Sequence, residues 1–202
     1  MPLDEPVPEL RRITDARTMR ALSHPVRIAI IEALTIDGPM TATEVGDYIG
    51  ESPTTCSFHL RQLAKYGFVE EAGGGKGRAR PWRMKSIGMS LEADGDPESE
   101  IAQQALGQLI RDRSLARYRQ WLETRSSYPE EWRDASHDSE YGFYLTAEEL
   151  KQLGAELSDM LLARYRDRIT DPSLRPPGSV PVEMLVFAYP IRPNTPDQGE
   201  VD

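Results

Sequence analysis

The chain has 202 residues, room for one or two domains with a buried core, and carries 24 basic against 33 acidic side chains. A net charge of −9 argues against a uniformly basic surface, and no run reaches the roughly 20 apolar residues of a membrane-spanning helix. One cysteine excludes an internal disulfide, and the acidic opening MPLDEPVPEL lacks the basic and apolar regions of a signal peptide, so a cytoplasmic protein is expected.

In chain order, residues 1–10 are rich in Pro, Asp and Glu and read as a disordered tail. Thr14 to Leu22 reads as a first helix capped by Thr14. His24-Pro25 opens a second, Val26 to Leu34, with Ile28, Ile30, Ile31 and Leu34 apolar and Gly38-Pro39 as the break. Thr41-Ala-Thr-Glu44 is a capping box, with Met40 and Val45 as its hydrophobic staple. That short helix runs to about Ile49, and Gly50 turns the chain.

Ser52 then caps a helix with Pro53 at its first position, where the missing N–H costs nothing. Cys56, Leu60 and Leu63 form its apolar stripe, and Gly67 ends it. Phe68-Val69 begins a strand. Gly73 to Gly77 suits a flexible hairpin tip, and Trp82 to Lys85 alternates like a returning strand. Two helices joined by a glycine-bearing turn, the second followed by a basic hairpin, are the layout of a winged helix-turn-helix.

ALSHPVRIAIIEALTIDGPMTATEVGDYIGESPTTCSFHLRQLAKYGFVEE resembles the ArsR-type bacterial transcriptional regulators. The marks are Leu22, Pro25, Arg27 and Leu34 in the first half, and Ser57, His59-Leu60, Leu63 and Gly67-Phe68-Val69 in the second. The likeness covers roughly residues 15–85 and does not extend to 90–202. It implies a homodimer that binds a pseudo-palindromic operator on double-stranded DNA, commonly as a repressor.

Charge distribution agrees with such a reader. Residues 11–86 hold 12 basic and 8 acidic side chains, net +4, while the rest hold 12 and 25, net −13. The acidic part is expected to face away from phosphates. The polar, cationic outer face of the Ser52 helix offers Ser52, Thr54, Thr55, Ser57, Phe58, Arg61, Gln62 and Lys65 as DNA-contacting candidates. The wing offers Lys76, Arg78 and Arg80. Phe58 points away from the apolar stripe and has two readings: it packs sideways on Trp82 or a neighbouring helix, or it meets a thymine methyl.

Chemistry is otherwise sparse. Cys56 reads first as a small core residue, with a redox-sensing thiol or a metal ligand as alternatives. His59 reads as packing or capping, or as a phosphate contact, and His24 as a helix-start residue. His24, His59 and His137 lie far apart and form no ligand motif, so no metal or other cofactor is expected. No catalytic fingerprint is present, and an enzyme is not expected. The alternative to a DNA-binding regulator is a winged helix used as a protein-interaction module, its acidic half holding a protein partner.

Beyond the reader, Glu98 to Thr124 reads as one long helix whose wide apolar face is formed in part by Ile101, Ala105, Leu109 and Ala116 and broadened by Leu106, Ile110, Trp121 and Leu122. Residues 127–139 are polar and irregular, with a short turn near Trp132. Tyr141, Phe143 and Leu145 alternate as a strand, and Val180 to Tyr189 reads as an apolar strand able to pair with residues 140–145. Between them Thr146-Ala-Glu-Glu149 is a second capping box, opening a helix striped by Leu150, Leu153, Leu157, Leu161 and Tyr165. Residues 193–202 read as a second disordered tail. Ten of the 15 aromatics lie beyond the reader, as core and dimer contacts or as the lining of a pocket for a small organic effector. The expected fold class is mainly α with small β-hairpins. It comprises a winged helix-turn-helix domain at 11–88 and a mixed α/β C-terminal domain at 96–190 for dimerisation or an effector, with the Glu98–Thr124 helix, alone or together with Thr14–Leu22, expected at a two-fold dimer interface.

Overall fold

In the computed structural model the described residues are 10–73 and 80–192. In order they form β1 (Leu10–Ile13), α1 (Ala16–Leu22), α2 (Pro25–Asp37), α3 (Ala42–Ile49), α4 (Pro53–Lys65), β2 (Val69–Glu71), β3 (Trp82–Met84), β4 (Gly88–Leu91), α5 (Pro97–Thr124), α6 (Glu130–Ala135) and α7 (Ala147–Thr170). The fold class is mainly helical with small strand pairs, as expected.

Caps set most helix starts. The first helix begins one residue later than expected because Asp15, not Thr14, is its cap: the Asp15 carboxylate accepts from the Thr18 N–H at 2.8 Å. His24 caps α2 through Nδ1, which accepts from the Val26 N–H at 3.2 Å. α2 runs past Leu34 to Asp37 and stops at Gly38, whose φ of 87° an L side chain adopts only with strain. Both capping boxes form, at Thr41–Glu44 and Thr146–Glu149.

A single core holds the first half together. Met19 and Leu22 of α1, Ile30 and Leu34 of α2, Val45 of α3 and Cys56, Leu60 and Leu63 of α4 are buried in it with Phe68 and Val69. Each leucine or isoleucine so buried contributes about 1.5–3 kcal/mol of transfer free energy. The N-terminal half of α5 belongs to the same core, through Ala102 and Leu106.

Two small sheets flank it. β2 and β3 pair antiparallel, Val69 opposite Met84 and Glu71 opposite Trp82. Met40 extends this hairpin, exchanging backbone hydrogen bonds with Trp82 at 3.1 and 2.7 Å. β1 lies parallel to β4, with Ile13 buried opposite Leu91. The tail expected over 1–10 is therefore corrected at Leu10, which starts a strand; residues 1–9 and 193–202 lie outside the described residues.

The C-terminal half departs further from expectation. The long helix forms, and of its expected apolar face Leu106 is buried and Leu109 and Ile110 half-buried, joined by Ala102, while Ile101, Ala105 and Ala116 stay exposed. Glu130–Ala135 is a helix rather than a turn. Neither residues 140–145 nor 180–189 form a strand, so the mixed α/β character expected of 96–190 is corrected: its described regular structure is helical. The period-two pattern is present, with the rings of Tyr141 and Phe143 stacked 5.8 Å apart. What is missing is a hydrogen-bonded neighbour, and an unpaired segment is not a strand.

The turn between α3 and α4 depends on Gly46 as well as Gly50. A Cβ on Gly46 would stand 2.7 Å from the Glu51 carbonyl oxygen, and the Glu51 N–H donates to the Gly46 carbonyl at 3.0 Å. Gly46→Ala should therefore cost about 1–3 kcal/mol in urea unfolding, as an overpacked site does. Gly154→Ala in α7, with open space around its Cβ, should instead stabilise that helix by up to about 1 kcal/mol.

Candidate nucleic-acid interface

Burial of one face of α4 decides what its other face presents. Cys56, His59, Leu60 and Leu63 point into the core, so Thr54, Phe58, Arg61 and Lys65 fall on a solvent stripe at spacings of four, three and four residues. Ser52 is the exposed cap; its Oγ accepts from the Thr55 N–H at 3.0 Å and lies 2.8 Å from Thr55 Oγ1. Thr55, Ser57 and Gln62 are half-buried at the stripe's edges. Arg61 reaches back one turn, donating from Nη1 to Ser57 Oγ at 2.8 Å, which aims its guanidinium along the helix surface.

Phe58 is 50% exposed in the middle of this polar stripe. Its ring meets that of His59 edge-on, with centroids 5.2 Å apart. An aromatic half-open to water between Thr54 and Arg61 leaves an apolar surface at the centre of a cationic face.

The hairpin stands beside α4. Its root is pinned by the Met40–Trp82 bonds, with Arg83 on the short strand β3 and Arg80 two residues before it. Arg80 is exposed and pairs with Glu71 at 2.9 Å, whereas Arg83 and Lys85 both face Glu70, at 2.9 and 3.9 Å. Exposed pairs of this kind are worth only about 0–1 kcal/mol and exchange readily for another anion. The expected contacts Lys76 and Arg78, and most of the glycine tip, lie outside the described residues. The role of Met40 as an edge to the wing was not legible in the sequence, where a lone apolar residue before a capping box reads as a staple.

His59 and Cys56 belong to the core side. His59 is 7% exposed, its ring 4.5 Å from that of His24, and its Nδ1 is buried without a hydrogen-bond partner. Burial, then the nearby His24 and Arg27, hold its imidazole below the usual histidine pKa. Burial likewise pushes the Cys56 thiol up, away from the thiolate range that redox chemistry needs. Among the described residues no three His, Cys, Asp or Glu side chains converge on a point.

Residues 22–72 match a family model described as a helix-turn-helix domain. That match supports a DNA-binding transcription regulator and agrees with the ArsR-type resemblance. No curated protein matches the chain. Among solved structures the chain is similar to a crystal structure of a "Possible transcriptional regulator for arsenical resistance", at 24% identity and a TM-score of 0.31, over 49% of this chain and 93% of that one. No helix among the described residues is long and apolar enough to cross a membrane.

Because His59 is held neutral in the fold, the unfolded chain takes up its proton first as pH falls. Its contribution to stability is complete above the ordinary histidine value of 6.5 and is lost as pH drops below that toward the depressed folded value. The melting temperature should therefore decline between pH 6.5 and 5, above the range where carboxylates titrate. His59→Gln should flatten that decline in the same calorimetric series.

Proposed function

With a helix-turn-helix domain and an attached β-hairpin as its premise, we propose that this chain is an ArsR-type repressor that binds a pseudo-palindromic operator as a homodimer. The observation that carries this is the α4 stripe. Thr54, Phe58, Arg61 and Lys65 stand exposed on the helix whose other face is sealed in the core, with the basic hairpin next to it. Such a helix fits the major groove, and such a hairpin runs along the phosphates. The division into a reader at 11–88 and a second unit at 96–190, which serves pairing, belongs to the same proposal.

Within it, Ser52, Thr54, Thr55, Ser57, Arg61, Gln62 and Lys65 contact bases or phosphates from α4, and Lys76, Arg78 and Arg80 contact phosphates or the minor groove. Arg80 gives up Glu71 to do so. Phe58 meets a thymine methyl; its half-exposed ring supports this over sideways packing. The acidic half lies away from the DNA. No catalytic step is assigned.

The test is a gel-shift titration on the DNA upstream of the chain's own gene across a salt series. Wild-type affinity should fall steeply with salt. Arg78→Ala or Arg80→Ala should each flatten the log–log slope by about one unit and weaken all sequences alike. If both leave affinity and slope unchanged, the wing is not at the DNA. A shift that is absent or independent of salt would favour a protein-interaction module instead.

Phe58→Ala should leave the melting temperature nearly unchanged and cost about 1–3 kcal/mol on the operator, selectively at one thymine. Uracil at that position should reproduce much of the loss with the wild-type protein. A Phe58→Ala variant that melts early but binds normally when folded would return the ring to the core.

A further inference from the structure

The C-terminal half leaves an unusual amount of apolar surface uncovered. α7 buries no residue, and Met160 and Tyr165 along it are 53% and 41% exposed. The two extended segments that precede and follow it in the chain are more open still, with Tyr141 at 73%, Phe143 at 67%, Val182 at 75%, Met184 at 58% and Tyr189 at 72%. Among the described residues, no backbone N–H or C=O of 137–145 or 180–191 bonds to another backbone group. Both segments therefore carry apolar side chains and free ladder groups together, the two properties of a strand edge that recruits another chain.

The area is of the size that a second copy covers. The chain exposes 15335 Å². A folded monomer of 22.8 kDa exposes roughly 9,600 Å². Even if residues 1–9, 74–79 and 193–202 are credited with the surface of unfolded chain, an excess on the order of 2,500 Å² remains. Two copies each covering that much would bury about 5,000 Å², within the range of obligate homodimers and far above a transient contact.

One ionic anchor keeps this surface in place. Glu183, inside the second segment, accepts from Ser114 Oγ at 3.0 Å and from Arg117 Nε at 3.1 Å on α5. Arg117 in turn donates to Glu32 of α2 at 2.7 Å. The 180–189 segment is thus tied to α5 by its polar residue, while Val182, Met184 and Tyr189 remain open.

We propose that residues 141–145, α7 and residues 180–189 form the site where a second copy of this chain docks, pairing its own extended segments edge to edge with these. This rests on the homodimer reading above and assigns its surface. Each copy supplies both the edge and the apolar side chains, so the contact is self-complementary and closes as a two-fold dimer.

The test uses the full chain. Sedimentation should show wild type as a dimer at and below 1 µM. Val182→Asp with Phe187→Asp alters side chains that the single chain leaves exposed, so its helical circular dichroism should be unchanged while the dimer constant weakens at least 30-fold. Hydrogen exchange on wild type gives an independent readout: amides of 141–145 and 182–189 should be protected at high concentration and should lose protection on dilution. A monomer at 50 µM, an undiminished dimer in the double variant, or protection that persists in the monomer would overturn the proposal. DNA binding is scored separately. Wild type that dimerises but does not shift DNA fails only the DNA reading; a double variant that stays fully dimeric and shifts DNA fails only this one.

Discussion

Everything the reader does follows from a single constraint: α4 has one core face. Cys56, Leu60 and Leu63 are sealed against α2 and α3 with almost no exposure, and His59 joins them even though burying an imidazole nitrogen without a partner is unfavourable. Once these four are fixed, helical geometry leaves no freedom for the rest. Thr54, Phe58, Arg61 and Lys65 must face outward, and their order along the stripe is set before any ligand arrives. Rigidity of this kind lowers the cost of binding, because little ordering remains for the complex to impose.

A second set of contacts joins the reader to the long helix behind it. Glu32 of α2 accepts from Arg113 at 2.7 Å and from Arg117 at 2.7 Å, and Arg117 also holds Glu183. Burial alone would raise the Glu32 pKa, but the two guanidiniums outweigh it and keep the carboxylate ionised below its usual value. Removing either arginine would leave a partly buried charge undercompensated, so the network fixes the angle of α5 on α2 more than it adds net stability. It also places the C-terminal segment two contacts from the core of the reader, from Glu183 through Arg117 to Glu32.

The reader was legible in the sequence because its signals are local. Caps at His24, Thr41 and Ser52, the stripe of α4 and the glycines at 50 and 67 each declare themselves within a few residues. What stayed hidden depended on partners distant in the chain. Leu10–Ile13 is a strand only because Gly88–Leu91 lies beside it, and Met40 is an edge only because Trp82 returns to it. Gly46 looked like an ordinary helix residue, since the atom that forbids a side chain there belongs to Glu51 after the turn. The outward stripe of α5 was misread for a related reason. Ile101, Ala105 and Ala116 are as apolar as Ala102, Leu106 and Leu109, which pack, and periodicity cannot say which part of a wide apolar face the reader covers.

The same logic bears on the two segments expected to be strands. Alternation in Tyr141, Phe143 and Leu145, and the apolar run from Val180 to Tyr189, specify how side chains will be shared between two faces; they do not supply the neighbour whose backbone completes the ladder. Among the described residues that neighbour is missing, and the residues that would be half-buried in a sheet stand in solvent instead. A sequence keeping strand chemistry without a partner of its own conflicts locally with its surroundings, and consistent folds resolve such conflicts. An edge supplied by an identical chain resolves this one without any change to the reader, because Glu183 already fixes the segment to α5 and leaves its apolar side chains facing away from that anchor.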